Sequence, residues 1–223
     1  MTLVLLVRHA QAETTGRRLT GRSLGIHLSE TGLRQAQQLA DRLIGVPLAA
    51  VYSSPLERCT ETAQVLAQPR GLEVAPMPEV VEVDYGRWTG RPLAQLTRTA
   101  LWKRVMMAPS TVRFPDGERL DEVQHRSVAA LSSMASRHPK RTVAVVTHAE
   151  VIRLALAHFS GVHIDLFQRW VIHPASVSAV GLGDGMPRLL RVNDTGTLED
   201  LAARPRRRPP PRGERSRTSR LLP

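Results

Sequence analysis

The chain has 223 residues and one cysteine, Cys59. That length suits a single large domain with its own core, and one cysteine excludes an internal disulfide. The start, Met1-Thr2-Leu3, carries no basic leader, and the first apolar run is too short for a signal peptide or membrane span; the expectation is a soluble, cytoplasmic protein. The net charge of +11 resembles that of a nucleic-acid binder, but eight arginines and one glutamate fall in Arg204–Pro223, which leaves +4 for the remainder. The basicity belongs mainly to a tail, which argues against nucleic acid as the main ligand.

In chain order, Leu3 to Val7 is nearly continuous in apolar residues, as expected of a strand buried on both faces of a parallel sheet, and it stops at Arg8-His9. Gln11 to Leu28 holds Gly16, Gly21 and Gly25 without an apolar period and reads as a loop. Ser29 is the N-cap of a helix with Leu33, Ala36, Gln37, Leu39, Ala40 and Leu43 on its stripe, which Gly45 ends and Pro47 keeps from resuming. A strand near residues 49–53 leads through Ser54 into a helix beginning at Pro55, with proline at the first helical position and Arg58 one turn in. Cys59 reads as a small packing residue on that helix. A short strand at Leu72–Ala75 follows.

Residues 76–117 are irregular and proline-punctuated, with one helix predicted from Pro92 to Met107. A long insertion between sheet elements reads as lid-like. It contains Glu82, Asp84, Tyr85, Gly86 and Trp88. Glu118 to Ser136 is a predicted helix, Thr142–Thr147 a strand that ends at His148, and Glu150–His158 a helix. Ser176–Gly181 and Arg188–Val192 form two strands joined by a turn at Asp184-Gly185. The glycines of Gly181-Leu182-Gly183 open no helix and lack a third partner, so they are not a dinucleotide loop. The folded domain is therefore drawn as 1–202, followed by a disordered Arg/Pro-rich tail, 203–223.

Two strands each place a histidine, His9 and His148, where open α/β sheets bind ligands. With Arg8, Arg58 and a helix N-terminus nearby, they form a pocket suited to phosphate. An Arg-His pair at one strand end is equally compatible with a structural role; it is the second histidine that raises the chemical reading. His27, His125, His158, His163 and His173 have no metal-ligand spacing, and Trp88, Trp102 and Trp170 read as packing groups.

The series VRHAQ (7–11), LSETGLRQAQQLADRL (28–43), VYSSPLERCTETAQ (51–64), EVDYGRWTG (82–90) and VVTHAEVIRLAL (145–156) resembles the motif series of the histidine phosphatase superfamily, the phosphoglycerate mutase-like clan. The blocks stand in the family's order from residue 3 to about residue 193. DYGRWTGRPL and FPDGE make the chain most similar to actinobacterial members described as phosphomutases or phosphatases.

The resemblance implies an α/β fold, a three-layer α/β/α sandwich with a mostly parallel central sheet. It also implies phosphoryl transfer through a phosphohistidine on His9, with no cofactor and no metal. Arg8 and Arg58 would clamp the phosphoryl oxygens, and His148 would donate a further hydrogen bond. Thr15, Thr20 and Gly21 would line the phosphate site, although Thr15 alone reads equally well as a surface loop residue. Glu82 would be the general acid; Asp84, two residues on, shares its face if the stretch is extended, and the motif favours Glu82.

Several positions depart from the commoner family pattern: Ala10-Gln11, Thr89 and Ala149-Glu150. They leave the substrate open, a small phosphorylated molecule of unspecified leaving group. Glu150 would add negative charge near the pocket or cap the following helix. A phosphatase, with water accepting the phosphoryl group, is preferred over a mutase, because no extended basic loop for a bisphosphorylated primer is recognised. A phosphate- or nucleic-acid-binding protein is the third reading. The family's habit makes a homodimer the prior for assembly.

Overall fold

A computed structural model describes residues 1–196. The predicted disordered tail, 203–223, and the last residues of the predicted domain lie outside the described residues. Strands β1 (Thr2–Arg8), β2 (Leu48–Ser53), β3 (Val74–Pro76), β4 (Thr142–Thr147), β5 (Val177–Leu182) and β6 (Arg188–Asp194) form one sheet in the order β3-β2-β4-β1-β5-β6. The first four in that order are parallel; β5 and β6 run antiparallel. The helices are α1 (Glu30–Arg42), α2 (Glu57–Ala67), α3 (Leu93–Leu96), α4 (Ala100–Met107), α5 (Leu120–Arg137) and α6 (Ala149–Phe159).

The alternation of side chains along a strand divides the core in two. Val4 and Leu6 of β1, with Val143 and Val145 of β4, pack with α5, α6 and residues of the 77–114 segment. Leu5 and Val7, with Ala144 and Val146, pack with α1 and α2. Both faces of the central strands are covered, so their apolar runs are nearly unbroken. The three-layer α/β/α expectation with a mostly parallel sheet holds. Among the described residues no helix is long and apolar enough to cross a membrane.

Several boundaries differ from the sequence reading. Helix α2 begins at Glu57, not Pro55. The Ser54 N–H still extends the sheet ladder to Val146 O (2.9 Å), and buried Leu56 is extended and serves as N-cap. Pro55 therefore sits exposed in the turn, and Arg58 is the second helical residue rather than one turn in. Strand β3 starts at Val74 rather than Leu72, because the Leu72 N–H closes back on Ala67 O (3.2 Å). The predicted helix from Pro92 to Met107 is two helices. The Thr99 hydroxyl donates to Leu96 O (2.7 Å) and accepts from the Trp102 N–H (3.1 Å), ending α3 and capping α4.

Helix α1 is capped by Ser29 Oγ, which accepts from the Gly32 N–H (3.1 Å), but it ends at Arg42, before Gly45. Leu33, placed on the stripe by the sequence, is 52% exposed; Gly32 takes the buried position. A Cβ at Gly32 would meet Gln11 O at 2.0 Å, and backbone cannot swing aside as a side chain can. Gly32→Ala is expected to destabilise the protein by about 1–3 kcal/mol, the usual range for an overpacked contact, measured as a lower midpoint of urea unfolding.

Candidate active site

Strands β1 and β4 are adjacent and parallel, with Arg8 in register with Thr147, so both end at one edge of the sheet. The His9 N–H donates to Thr147 O (2.9 Å), and the His9 and His148 rings lie 5.3 Å apart, edge to face. The convergence of two strand-end histidines holds geometrically. Both are buried, His148 fully and His9 at 7% exposure.

The tautomer of each ring follows from its partners. His9 Nδ1 lies 2.7 Å from Ala10 O, a group that can only accept. The ring proton therefore sits on Nδ1, and Nε2 keeps its lone pair. Burial, then the charges of Arg58 and Arg8, pushes the His9 pKa down to about 3, so the ring is neutral. His148 Nδ1 faces Arg58 Nη2 at 3.3 Å, and a guanidinium can only donate. The His148 proton then lies on Nε2, which faces the hydroxyl of buried Ser54 at 2.9 Å. Burial and Arg58 hold His148 well below the usual histidine range.

The two arginines are fixed but not saturated. Arg8 Nη1 donates to Ile172 O (2.6 Å) and Arg58 Nη2 to Gly21 O (2.7 Å). Among the described residues, Arg8 Nε and Arg58 Nη1 are buried with no hydrogen-bond partner. An unpaired donor on a buried cation is costly. Burial lowers the Arg8 pKa from its usual value.

Arg8, Arg58 and His9 line a cavity of about 400 Å³ that Thr15, Thr20 and Gly21 also border. Thr15 Oγ1 accepts from the Ala12 N–H (3.0 Å), and Thr20 Oγ1 meets Thr14 Oγ1 (3.0 Å). Gly21 contributes its carbonyl to Arg58 rather than an N–H to an anion. Its φ of +52°, and Tyr85 and Thr89 at 3.0 Å from where a Cβ would sit, explain the glycine.

Glu82 and Asp84 are separated by their surroundings. Glu82 is 7% exposed, lines the cavity, and brings Oε2 to 3.9 Å from His148 Nδ1. Its backbone carbonyl accepts from Arg22 Nε at 2.8 Å. Burial, then the charge of Glu150, raises the Glu82 pKa to about 8. Asp84 instead accepts from the Gly86 N–H (2.9 Å) and lies 3.9 Å from Arg22, half-exposed. Cys59 is fully buried, with Sγ 3.4 Å from His148 Nε2; burial pushes its pKa to about 12, which suits a packing role.

The cavity also holds groups that no motif in the sequence marks as site residues, together with Glu150, whose charge the sequence places near the pocket. Tyr85, Trp102, Arg153 and Gln168 also line the cavity, and Trp102 stacks on Trp88 at 6.1 Å between centroids. Trp102 is thus more than a packing group. Glu150 lines the cavity and pairs with Arg153 (3.0 Å). The spacing of three on a helix was the available signal for that pair. Ser54 could have been found as another residue just beyond a strand end.

The chain matches the family model for the histidine phosphatase superfamily (branch 1) over residues 4–195. It is 32% identical over 206 residues to phosphoserine phosphatase 1 of Hydrogenobacter thermophilus, covering 90% of this chain and 96% of that protein. It is 31% identical over 183 residues to the Proteus mirabilis protein described as "Probable phosphoglycerate mutase GpmB", covering 81% and 85%. Among solved structures it resembles the mycobacterial glucosyl-3-phosphoglycerate phosphatase Rv2419c, with a TM-score of 0.77, 25% identity, and 86% and 98% of the two chains covered. With its buried histidine pair, its arginines and a motif series spanning the described domain, the chain belongs to the histidine phosphatase superfamily, branch 1.

Proposed function

We propose that this chain hydrolyses phosphomonoesters of small molecules by carrying the phosphoryl group on His9 Nε2, with Glu82 as general acid and then base. The observation that carries the reading is the convergence of His9, the Arg8 and Arg58 guanidiniums and Glu82 on one cavity. Two guanidiniums offer the donors that a transferring phosphoryl group needs on its equatorial oxygens. His9, neutral and with Nε2 unprotonated, can attack without losing a proton.

The Nε2 lone pair forms the N–P bond while the P–O bond to the leaving group breaks, and that oxygen takes the proton of Glu82. Water then attacks phosphorus, Glu82 takes its proton, and the N–P bond breaks to release phosphate and restore His9. His148 donates to the transferring group from Nδ1 only in its other tautomer, in which the Nε2 lone pair accepts from the Ser54 hydroxyl. The Ser54 hydroxyl can accept from or donate to Nε2, so it can support either tautomer of the ring. Thr15, Thr20 and Gly21 shape the phosphate end. The 76–117 insertion serves as a lid-like wall, through Tyr85, Leu93 and Trp102.

A mutase would use the same residues, and a relative described as a mutase keeps that reading in view. The cavity wall contributed by the insertion favours the phosphatase. Leu93, Trp102 and Met106 make the insertion's share of that wall apolar, and the cations beyond Arg8 and Arg58 are Arg18 and Arg153. The cavity volume fits a small substrate rather than a nucleic acid. The chain is proposed to work in the cytoplasm and as a homodimer, the latter checked by light scattering on the eluting species.

The test is phosphate release from a panel of phosphomonoesters with chelator present. The wild type is expected to release phosphate undiminished by chelator. Failure on every member, together with interconversion of phosphoglycerates, would replace the hydrolase by the mutase.

A further inference from the structure

Beyond the phosphate cradle, the cavity wall carries two opposite charges side by side. Glu150 and Arg153 stand on α6, directly after His148, and both line the cavity. Arg153 is held by two bonds, Nε to Trp170 O (2.8 Å) and Nη1 to Glu150 Oε1 (3.0 Å). Among the described residues, Glu150 Oε2 and Arg153 Nη2 make no hydrogen bond, and neither is sealed from solvent. The pair therefore offers the cavity one free anionic acceptor and one free cationic donor on a rigid helical turn. Of the other groups around the cavity, Trp102 and Met106 carry no charge, and Arg18 adds a cation on the 11–28 loop.

We infer that Glu150 and Arg153 select a zwitterionic leaving group, with the ammonium taken by Glu150 Oε2 and the carboxylate by Arg153 Nη2. The natural substrate class would be a phosphate ester of a hydroxy-amino acid. A leaving group that is only anionic meets the same guanidinium but is repelled by the neighbouring carboxylate. One that is only cationic loses the arginine contact. A side-by-side pair of opposite charges thus discriminates by pattern rather than by net charge. The electrostatic reach of Glu150 to Arg8 and Glu82 places it close to the reacting centre.

The inference rests on the phosphatase reading, and the probes keep the two apart. O-phosphoserine and 3-phosphoglycerate share a skeleton and a carboxylate and differ in ammonium against hydroxyl. p-Nitrophenyl phosphate carries neither. Hydrolysis of p-nitrophenyl phosphate reports the phosphatase reading. Dissociation constants for the two three-carbon esters, measured by calorimetry on His9→Ala protein that cannot turn them over, report the inference even if hydrolysis fails.

O-phosphoserine is expected to bind at least about tenfold more tightly than 3-phosphoglycerate, as a charge-assisted hydrogen bond allows. Adding Glu150→Gln should bring the two within about threefold, mainly by weakening O-phosphoserine. Adding Arg153→Gln should weaken both by a similar factor, since both carry the carboxylate. Equal binding of the two esters by protein retaining Glu150, or a preference that survives Glu150→Gln, would overturn the assignment. Unchanged affinities in Arg153→Gln would overturn its carboxylate half.

Discussion

His9→Ala is expected to lower turnover about ten-thousand-fold or more, the scale seen when a covalent nucleophile is removed, with no phosphoenzyme formed. Wild-type protein mixed with substrate and quenched in alkali, where an N–P bond survives, should carry one phosphoryl group on the peptide containing His9. His148→Ala and Arg58→Ala should slow formation of that adduct without moving its position. The expectation follows from the ring's surroundings. The Ala10 carbonyl occupies the Nδ1 proton, leaving Nε2 as the free lone pair. Burial between two guanidiniums keeps the ring unprotonated down to about pH 3. The acid limb of activity should therefore come from the second ionisation of the substrate rather than from His9. A His9→Ala protein that folds and still turns over at the wild-type rate would remove the phosphohistidine from the mechanism. So would an adduct found on any other residue.

That site was unevenly legible in the sequence. His9 and His148 could be placed because each ends an apolar run, and buried strands announce both their course and their end. Their adjacency is a fact of strand order, β4 beside β1, which no local pattern states. Arg58 was located through its helix, but the start of that helix was read two residues early, because the buried Leu56 turn outweighs the local preference of Pro55. Thr99 divides Pro92–Met107 with one hydroxyl, a tertiary choice that helix propensity cannot reveal. Glu82 and Asp84 could not be separated by spacing. What separates them is the irregular path of residues 81–85, which turns one carboxyl into the cavity and the other to Arg22 and the Gly86 amide. The unpartnered donors of Arg8 and Arg58 have no sequence signature at all. They are properties of what the fold withholds from each guanidinium.

Glu82→Gln is expected to lower kcat/KM on alkyl phosphates by about a hundredfold to ten-thousandfold, the range for loss of a general acid or base. With p-nitrophenyl phosphate the first step needs no proton, since the leaving phenolate is stable. The variant should then release a burst of nitrophenol equal to the enzyme and turn over slowly, because water in the second step has lost its base. In the wild type, Glu82 holds its proton up to about pH 8. After correction for substrate ionisation, kcat/KM should fall as pH rises through about 8.

The same residue links activity to stability. The ordinary value for this carboxyl is 4.5, and burial beside Glu150 raises it in the folded protein to about 8. Between those pH values the folded state binds the proton that the unfolded state has released, so Glu82 lowers stability as pH rises through that window. Glu82→Gln should therefore raise Tm above wild type by about 2–8 °C at pH 9, the shift expected of one or two kcal/mol in a domain of this size. The gain should disappear at pH 4, where both proteins are neutral at this position. A stabilised yet slower enzyme is the signature of a carboxyl kept in a costly place for its proton. Asp84→Asn, half-exposed and 3.9 Å from Arg22, should leave the alkaline limb in place. If Asp84→Asn shifts the alkaline limb and Glu82→Gln leaves it in place, the acid is Asp84.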